Sequence, residues 1–424
     1  MINKKSLDAV HSAYTSQYFC KPLYGSYCFS EIPNTIKKLF GISASPALPE
    51  DALVFNGQED KNVILLFIDG FGWRFLSKHM DTFPFLKRFA EKGVVSKITS
   101  QFPSTTVAHV TCIHTGLEVG QSGNYEWYSY EPSLDAMITP LLFSYAGDGK
   151  PLSLLEAGGK PEVIFPPHTL YQELARHGIE SYVLQHKSFS SSPYSKWVCR
   201  GAQIVPFLNL SEALSHLNRI YKTPSDKKRY FFLYYGDIDA ASHKHGPDSK
   251  TTLDVITTTM ENLEKRLINR LHIKPDTSLI ITADHGMTPT DPTTAVYVNQ
   301  LVPQIENWIK RNEKGELLVP AGSPRDFFLH IKQEYINDAV EALRVALRGR
   351  AEVYPVQQLI YENYFGSQPP SQRFLDRVGS VVILSYPGES IFWYIKDKFE
   401  AHFYGHHGGL TIEEMETIFC HLRG

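Results

Sequence analysis

Three short apolar runs, each closing on an aspartate, constrain the fold of this chain more than any other feature. They are Asn62-Val63-Ile64-Leu65-Leu66-Phe67-Ile68 before Asp69, Arg229-Tyr230-Phe231-Phe232-Leu233-Tyr234-Tyr235 before Asp237 and Asp239, and Thr277-Ser278-Leu279-Ile280-Ile281-Thr282 before Asp284. A run of this length that is apolar without alternation suits a strand buried on both faces, as central strands of parallel sheets are. Between them Ser211 to Tyr221 reads as a helix, and so does Thr251 to Leu271, where Leu253, Ile256, Met260, Leu263 and Leu267 form a core stripe at helical spacing. Strands alternating with helices predict an α/β fold, a mostly parallel central sheet flanked by helices on both faces. In such sheets ligands bind at the carboxyl ends of the strands, where these aspartates stand.

With 424 residues, 42% of them hydrophobic, the chain can bury one large core or two to three modest ones. Its 42 basic and 45 acidic residues leave a net charge of −3, which supplies no footprint for a nucleic acid polymer and no polybasic membrane patch. Five scattered cysteines without a CxxC pair argue against a disulfide framework and a thiolate zinc site, and fit a reducing compartment. Lys4 and Lys5 are not followed by an apolar segment, and no run approaches the ~20 apolar residues of a spanning helix. The expectation is a soluble, cytoplasmic protein without a membrane span, its oligomeric state undetermined. Residues 1–54 read as an arm, 55–300 and 376–424 as the core, and 301–375 as a small inserted α+β cap, with Gly379 to Leu384 returning the chain to the core. Arg325 is expected on the surface. Residues 131–160 read as an insertion that contacts substrate.

The chemistry lies at the segment ends. In Gln101-Phe102-Pro103-Ser104-Thr105-Thr106-Val107-Ala108-His109, the proline and hydroxyl run mark a helix start, whose unpaired N–H groups make an anion site over Thr106. Taken alone, such a run is more often an ordinary helix cap. Asp239 and His243 are four apart, so one helical turn puts both on one face, where they can share a divalent cation; Asp237 and His245 compete for the role. Asp284-His285 closes the third strand, and His406-His407 sits in a Gly-rich turn before a helix. Each alone has a bland explanation as a turn or loop residue, but independent turns would not close strand after strand on a metal-ligand type.

The order strand-Asp-Gly, FPSTT with a downstream TG, an Asp-xxx-His segment ending in GP, ADHG and a late HGG resembles the alkaline phosphatase superfamily, specifically its type I phosphodiesterase and nucleotide pyrophosphatase branch, over residues 62–415. The resemblance implies a hydrolase of small-molecule phosphate esters or nucleotides with two divalent ions in one cleft, usually Zn²⁺, with Mn²⁺ the alternative. One would be held by Asp69, Asp284, His285 and the nucleophile oxygen, the other by Asp239, His243 and His407. Thr106 is the implied nucleophile, because the family places it ten residues before the Gly of the TG pair, here Gly116; Thr105 is the runner-up. His407 is preferred to His406 because it directly precedes the Gly-Gly of the family turn.

Metal coordination is one of the few ways to favour a threonine alkoxide, so a covalent phosphothreonine intermediate is expected. The family often continues from its Thr with Phe-Pro-Asn, the Asn holding a phosphate oxygen, whereas this chain has Val107, Ala108 and His109. His109 and Asn124 are the candidates for that contact. Phe71, Trp73, Tyr125, Trp127 and Tyr235 are candidates to stack on a flat group. The same ligand set also serves phosphomonoesterases and phosphonate hydrolases, while a catalytically inactive binding protein would be expected to lack some of the seven positions.

Overall fold

The computed structural model describes residues 1–54 and 57–424, and its centre is β1 (Asn62–Ile68), all seven residues of which are buried. The other strands of its sheet are β2 (Val94–Thr99), β3 (Glu180–His186), β4 (Ala202–Phe207), β5 (Arg229–Tyr235), β6 (Thr277–Thr282) and β7 (Glu416–Arg423). They lie in the order β2-β7-β6-β1-β5-β3-β4. From β6 through β4 every pairing is parallel; β7 alone runs antiparallel, to both β6 and β2. Because β1 has strands on both sides and helices over both faces, alternate residues serve two cores. Ile64, Leu66 and Ile68 pack with Phe75, Phe89, Leu217 and Met260, while Val63, Leu65 and Phe67 pack with Phe29, Ile36, Ile113 and Leu174. Each fully buried side chain of this kind contributes roughly 1.5–3 kcal/mol.

Residues 1–54 wrap this core. Asn3 caps the helix Lys4–Ser12 by accepting from Ser6 N, and its own N–H donates to Val95 O on β2 at 2.8 Å. Phe29, Ile32, Phe40 and Leu48 then cover one face of the sheet. Residues 129–145, within and beside the expected insertion, form a three-stranded antiparallel sheet. Among the described residues no helix is long and apolar enough to cross a membrane.

A second, antiparallel sheet takes the strands Ala321–Gly322, Asp326–Leu329, Val381–Ser385 and Ala351–Pro355 in that order. The expected return to the core at Gly379 to Leu384 is corrected here: Val381–Ser385 is an inner strand of the small sheet, and the chain rejoins the central sheet at β7. All five residues of that strand are buried, so from its pattern it looks like a central strand. Phe328, Val382 and Leu384 pack in one cluster with Phe102, Ala108 and Met415, which seats the small sheet on the elements around the Thr106 turn.

Arg325, expected on the surface, is fully buried. Its Nε and Nη2 donate to the two carboxylate oxygens of Glu414 at 3.0 and 2.9 Å, and the carbonyls of Ser385 and Tyr386 take further N–H groups at 3.2 and 2.9 Å. The planar guanidinium fork meets a carboxylate two-pronged and has carbonyls for its remaining donors, which is how a charge of this size tolerates the interior. Replacing Arg325 by Met is expected to destabilise the fold by about 3–5 kcal/mol in urea unfolding, because Glu414 is left unpaired inside. Adding Glu414→Gln to that variant should recover part of the loss.

Candidate active site

Pro103 and the hydroxyl run deliver the helix α1 (Thr106–Thr115) to the carboxyl end of β1. Thr105 is its N-cap, extended at φ −126° and ψ 148°, and no side chain caps the helix. The Ser/Thr run is therefore not spent on capping. Thr105 is buried and its side chain bonds Glu126, whereas Thr106 is half-buried, with Oγ1 3.3 Å from His285 Nε2 and 3.5 Å from Asp69 Oδ2. Ser104 staples this turn to the turn containing His407. Its N–H donates to Gly408 O at 3.0 Å, its hydroxyl donates to Gly409 O at 2.7 Å and accepts from Gly408 N at 3.2 Å, and its carbonyl accepts from His407 Nδ1 at 3.0 Å. Gly408 has φ +126°, and a Cβ there would come within 2.7 Å of both Ser323 Oγ and Asp326 Oδ1, so only glycine fits.

Asp69 follows β1, Asp284 and His285 follow β6, and the helix α2 (Asp237–His245) after β5 presents Asp239 and His243 one turn apart. Three imidazoles are oriented the same way. His243 Nδ1 donates to Gly405 O at 2.7 Å, His285 Nδ1 to Gly286 O at 3.0 Å and His407 Nδ1 to Ser104 O. Each ring thus turns its Nε2 into the cluster. The Nε2 atoms of His243 and His407 are 3.1 Å apart, and two lone pairs face each other stably only across a cation or a proton. His285 Nε2 lies 3.1 Å from Asp284 Oδ2 and 3.5 Å from Asp69 Oδ1, and Asp239 lies within 3.7 Å of both His243 and His407.

The charges are unbalanced. Among the described residues no Lys or Arg bonds or pairs with Asp69, Asp239 or Asp284, and a buried oxygen of each has no hydrogen-bond partner. Burial, then the carboxylates of Asp284 and Asp239, push Asp69 well above the usual carboxylate range. Asp239 is raised, chiefly by burial. Asp284 is also desolvated, but His285 beside it holds it down at about 2. Burial and the neighbouring imidazoles keep His407 well below its ordinary value, hence neutral. Orphaned carboxylate oxygens facing imidazole lone pairs are the donor set of a divalent metal site. The ligand atoms of Asp239, His243 and His407, and those of Asp69, Asp239 and His285, each fall within 4.8 Å of one another.

Other expected residues lie elsewhere. Asp237 accepts from Tyr235 OH at 2.8 Å on the surface, His245 is exposed, and His406 belongs to neither ligand group. His109 and Asn124, the expected phosphate contacts, are both buried and hydrogen-bonded within the protein. His109 is fully buried, with Nδ1 donating to Thr105 O at 2.7 Å and Nε2 accepting from Gln101 N at 2.9 Å. Burial lowers its pKa to about 4, and the neutral ring acts as a strut across the Thr106 turn. Asn124 gives its carbonyl oxygen to Arg377 in a buried network with Glu131. Of the five stacking candidates, only Trp127 lines the cavity over Thr106; Phe71 and Tyr125 are core residues.

Sequence reasoning missed Tyr234, whose hydroxyl donates to Asp69 Oδ2. Strand alternation from the buried Phe232, one face along to Tyr234, was the available signal. It also missed the buried pair Glu126 and Asp326, which bond each other behind Thr105; burial raises both, Glu126 to about 7, and their shared hydrogen bond raises Asp326 further while it lowers Glu126.

The model of the family described as type I phosphodiesterase / nucleotide pyrophosphatase matches residues 63–410. Rat ectonucleotide pyrophosphatase/phosphodiesterase family member 3 is 23% identical over 73% of this chain and 34% of its own length. Human bis(5'-adenosyl)-triphosphatase ENPP4 is 24% identical over 53% of this chain and 47% of its own. The chain thus spans about a third of the first of these relatives and about half of the second. An inactive variant of murine ectonucleotide pyrophosphatase / phosphodiesterase 5, solved in complex with AMP, superposes with a TM-score of 0.64 at 18% identity, covering 85% of this chain and 87% of that one, which establishes the shared fold.

Metal-free protein loaded with Zn²⁺ and passed through gel filtration is expected to carry two ions per chain by elemental analysis, and His243→Ala about one, since one ligand group loses a member. Finding no metal on the unaltered protein would refute the ligand assignment.

Proposed function

The chain belongs to the type I phosphodiesterase / nucleotide pyrophosphatase family, and from that premise we propose that it hydrolyses phosphodiesters, nucleotides among them, with Thr106 as nucleophile. The observation that carries this reading is the position of Thr106 Oγ1, within 3.5 Å of Asp69 and His285 at the open start of a ten-residue helix.

Asp69, Asp284 and His285 would hold one divalent ion, with the Thr106 oxygen, and Asp239, His243 and His407 the other. Zinc suits this nitrogen and oxygen donor set, and two such ions supply the Lewis acidity that stabilises an alkoxide and the charge on a transferring phosphoryl group. The protein's own residues do the rest. Ser104 and His109 fix the turn so that Thr106 meets phosphorus without first being ordered. The first N–H groups of α1 have no partners within the helix and would serve the phosphoryl oxygens. Thr106 Oγ forms the bond to phosphorus as the bond to the departing alcohol breaks in line; the hydroxyl proton is lost to solvent and the alkoxide gains one from it. Water then cleaves the phosphothreonine ester, releasing a monoester and restoring the hydroxyl. Tyr234 holds Asp69 in place throughout through its bond to Oδ2.

Thr106→Ala is expected to lower kcat on bis-p-nitrophenyl phosphate by on the order of a thousandfold or more, while the bound metal stays at wild-type content. Thr105→Ser, which keeps the bond to Glu126, should stay within a few fold of wild type. Retained turnover in Thr106→Ala would rule Thr106 out. Faster hydrolysis of p-nitrophenyl phosphate than of the diester would make the protein a monoesterase instead.

A further inference from the structure

Two buried acids meet behind the Thr106 turn with no base to balance them. Glu126 and Asp326 are 1% and 0% exposed, and among the described residues no Lys, Arg or His pairs with either. The guanidinium of Arg325, next in the chain to Asp326, is committed to both carboxylate oxygens of Glu414. The two carboxyls close on one point: a Cβ built on Gly408 would lie 2.7 Å from Asp326 Oδ1 and 3.1 Å from Glu126 Oε1. Two ionised carboxylates at this range repel, and away from water they cannot both stay charged. One proton between them turns the contact into a charge-assisted hydrogen bond.

Hydrogen-bond partners decide which acid holds that proton. Glu126 is well supplied with donors: Trp127 N donates to its Oε2, and the hydroxyl of Thr105 bonds the same carboxyl. Asp326 is not. Its Oδ1 accepts from Ser323 Oγ at 2.5 Å, while Oδ2 is buried without a partner. An oxygen in that position is stable as O–H and costly as O⁻. Burial and the charge on Glu126 push Asp326 well above the usual carboxylate range, whereas Glu126, also raised by burial, is brought back by its donors to about 7. Tyr125 and Tyr128, the hydroxyls that feel Glu126, are pushed up by burial and stay neutral.

The bond joins separate parts of the fold. Asp326 opens a strand of the small sheet, Glu126 stands in the segment ahead of the strand Ser129–Glu131, and Thr105 is the N-cap of α1, one residue before Thr106. Ser323 reaches on to His407 O at 3.4 Å. We propose that Glu126 and Asp326 are positioning residues: a proton carried on Asp326 and donated to Glu126 fixes the hydroxyl of Thr105, and with it the approach of Thr106 to phosphorus. Neither acid belongs to a metal-ligand group or lines the cavity over Thr106. The positioning role rests on Thr106 being the nucleophile, whereas the place of the proton is independent of it.

The test uses the zinc-loaded protein, the two isosteric amide variants and bis-p-nitrophenyl phosphate. Asp326→Asn keeps an N–H donor toward Glu126 and is expected to stay within about threefold of wild type in kcat. Glu126→Gln transfers the charge to the acid with fewer donors and removes an acceptor from Thr105 and Trp127. Its kcat is expected to fall at least about tenfold with KM within about threefold, since a misaligned nucleophile slows bond formation more than binding. Bound zinc should stay at wild-type content in both. Infrared difference spectra between H₂O and D₂O supply a readout that needs no turnover: wild type should show the isotope-shifted C=O band of a protonated carboxyl, missing from Asp326→Asn and retained in Thr106→Ala. Equal rates in the two amide variants, a slower Asp326→Asn than Glu126→Gln, or a wild-type spectrum without that band would overturn the proposal. If no ester is turned over, the band is read alone. Its loss only in Asp326→Asn leaves the acid pair standing while the hydrolase reading, and the positioning role with it, falls; its absence from wild type overturns the pair whatever the turnover.

Discussion

Three carboxylates converge at the carboxyl end of the central sheet with no arginine or lysine among the described residues to balance them, and much of the structure exists to hold that arrangement still. Two of the three, Asp69 and Asp284, are almost completely buried. Left to themselves, such groups would protonate or move apart, because each raises the cost of ionising the next. They remain together because each is placed by a different backbone element, after β1, after β6 and in α2, so none can relax without breaking sheet or helix bonds. The imidazoles are fixed in the same way, each by an Nδ1–H bonded to a main-chain carbonyl. This is an environment prepared for cations to complete.

The small antiparallel sheet braces that environment from behind. Its strand Asp326–Leu329 carries Asp326 against Glu126 and Ser323, all packed around Gly408, and Arg325 beside it grips Glu414 just past the histidine turn. The turn that positions His407 is thus held on one side by Ser104, from the Thr106 turn, and on the other by the small sheet. A displacement of either support would move His407 and Thr106 together, since Ser104 bonds the turns to one another. The coupling explains why a sheet distant in sequence from Thr106 shares a hydrophobic cluster with Phe102 and Ala108.

What was legible in the sequence follows from the range of the forces involved. The strands β1, β5 and β6 could be read because burial on both faces writes an unbroken apolar run into seven or so residues, and Asp69, Asp239 and Asp284 could be read because strand ends are where such sheets bind ligands. The choice of His407 over His406 rested on the Gly-Gly that follows it, and the strain-prone Gly408 gives a physical reason for that pair. Arg325 and Val381–Ser385 were misplaced for a common reason: nothing local distinguishes a surface arginine from one meeting Glu414 eighty-nine residues later, or an inner strand of one sheet from that of another. Such assignments are made by partners distant in the chain or on the opposite side of a turn.

The two halves of the site also obey different physics, which bears on how they change. The cluster around Asp69 is electrostatic and short-ranged, so displacing one ligand by an ångström forfeits most of its value, and it is carried on sheet and helix termini that hardly move. The cavity beside it gains affinity by area removed from water, which tolerates shifts of that size and varies smoothly with the side chains supplied. Among its lining residues, Leu141 and Leu142 sit on a connection, Gln185 near the end of β3 and Phe189 in the one-turn helix Lys187–Ser190 that follows it. A site built this way can keep the Asp69 cluster fixed while the lining of the cavity beside it varies at a handful of residues that carry no periodic signal.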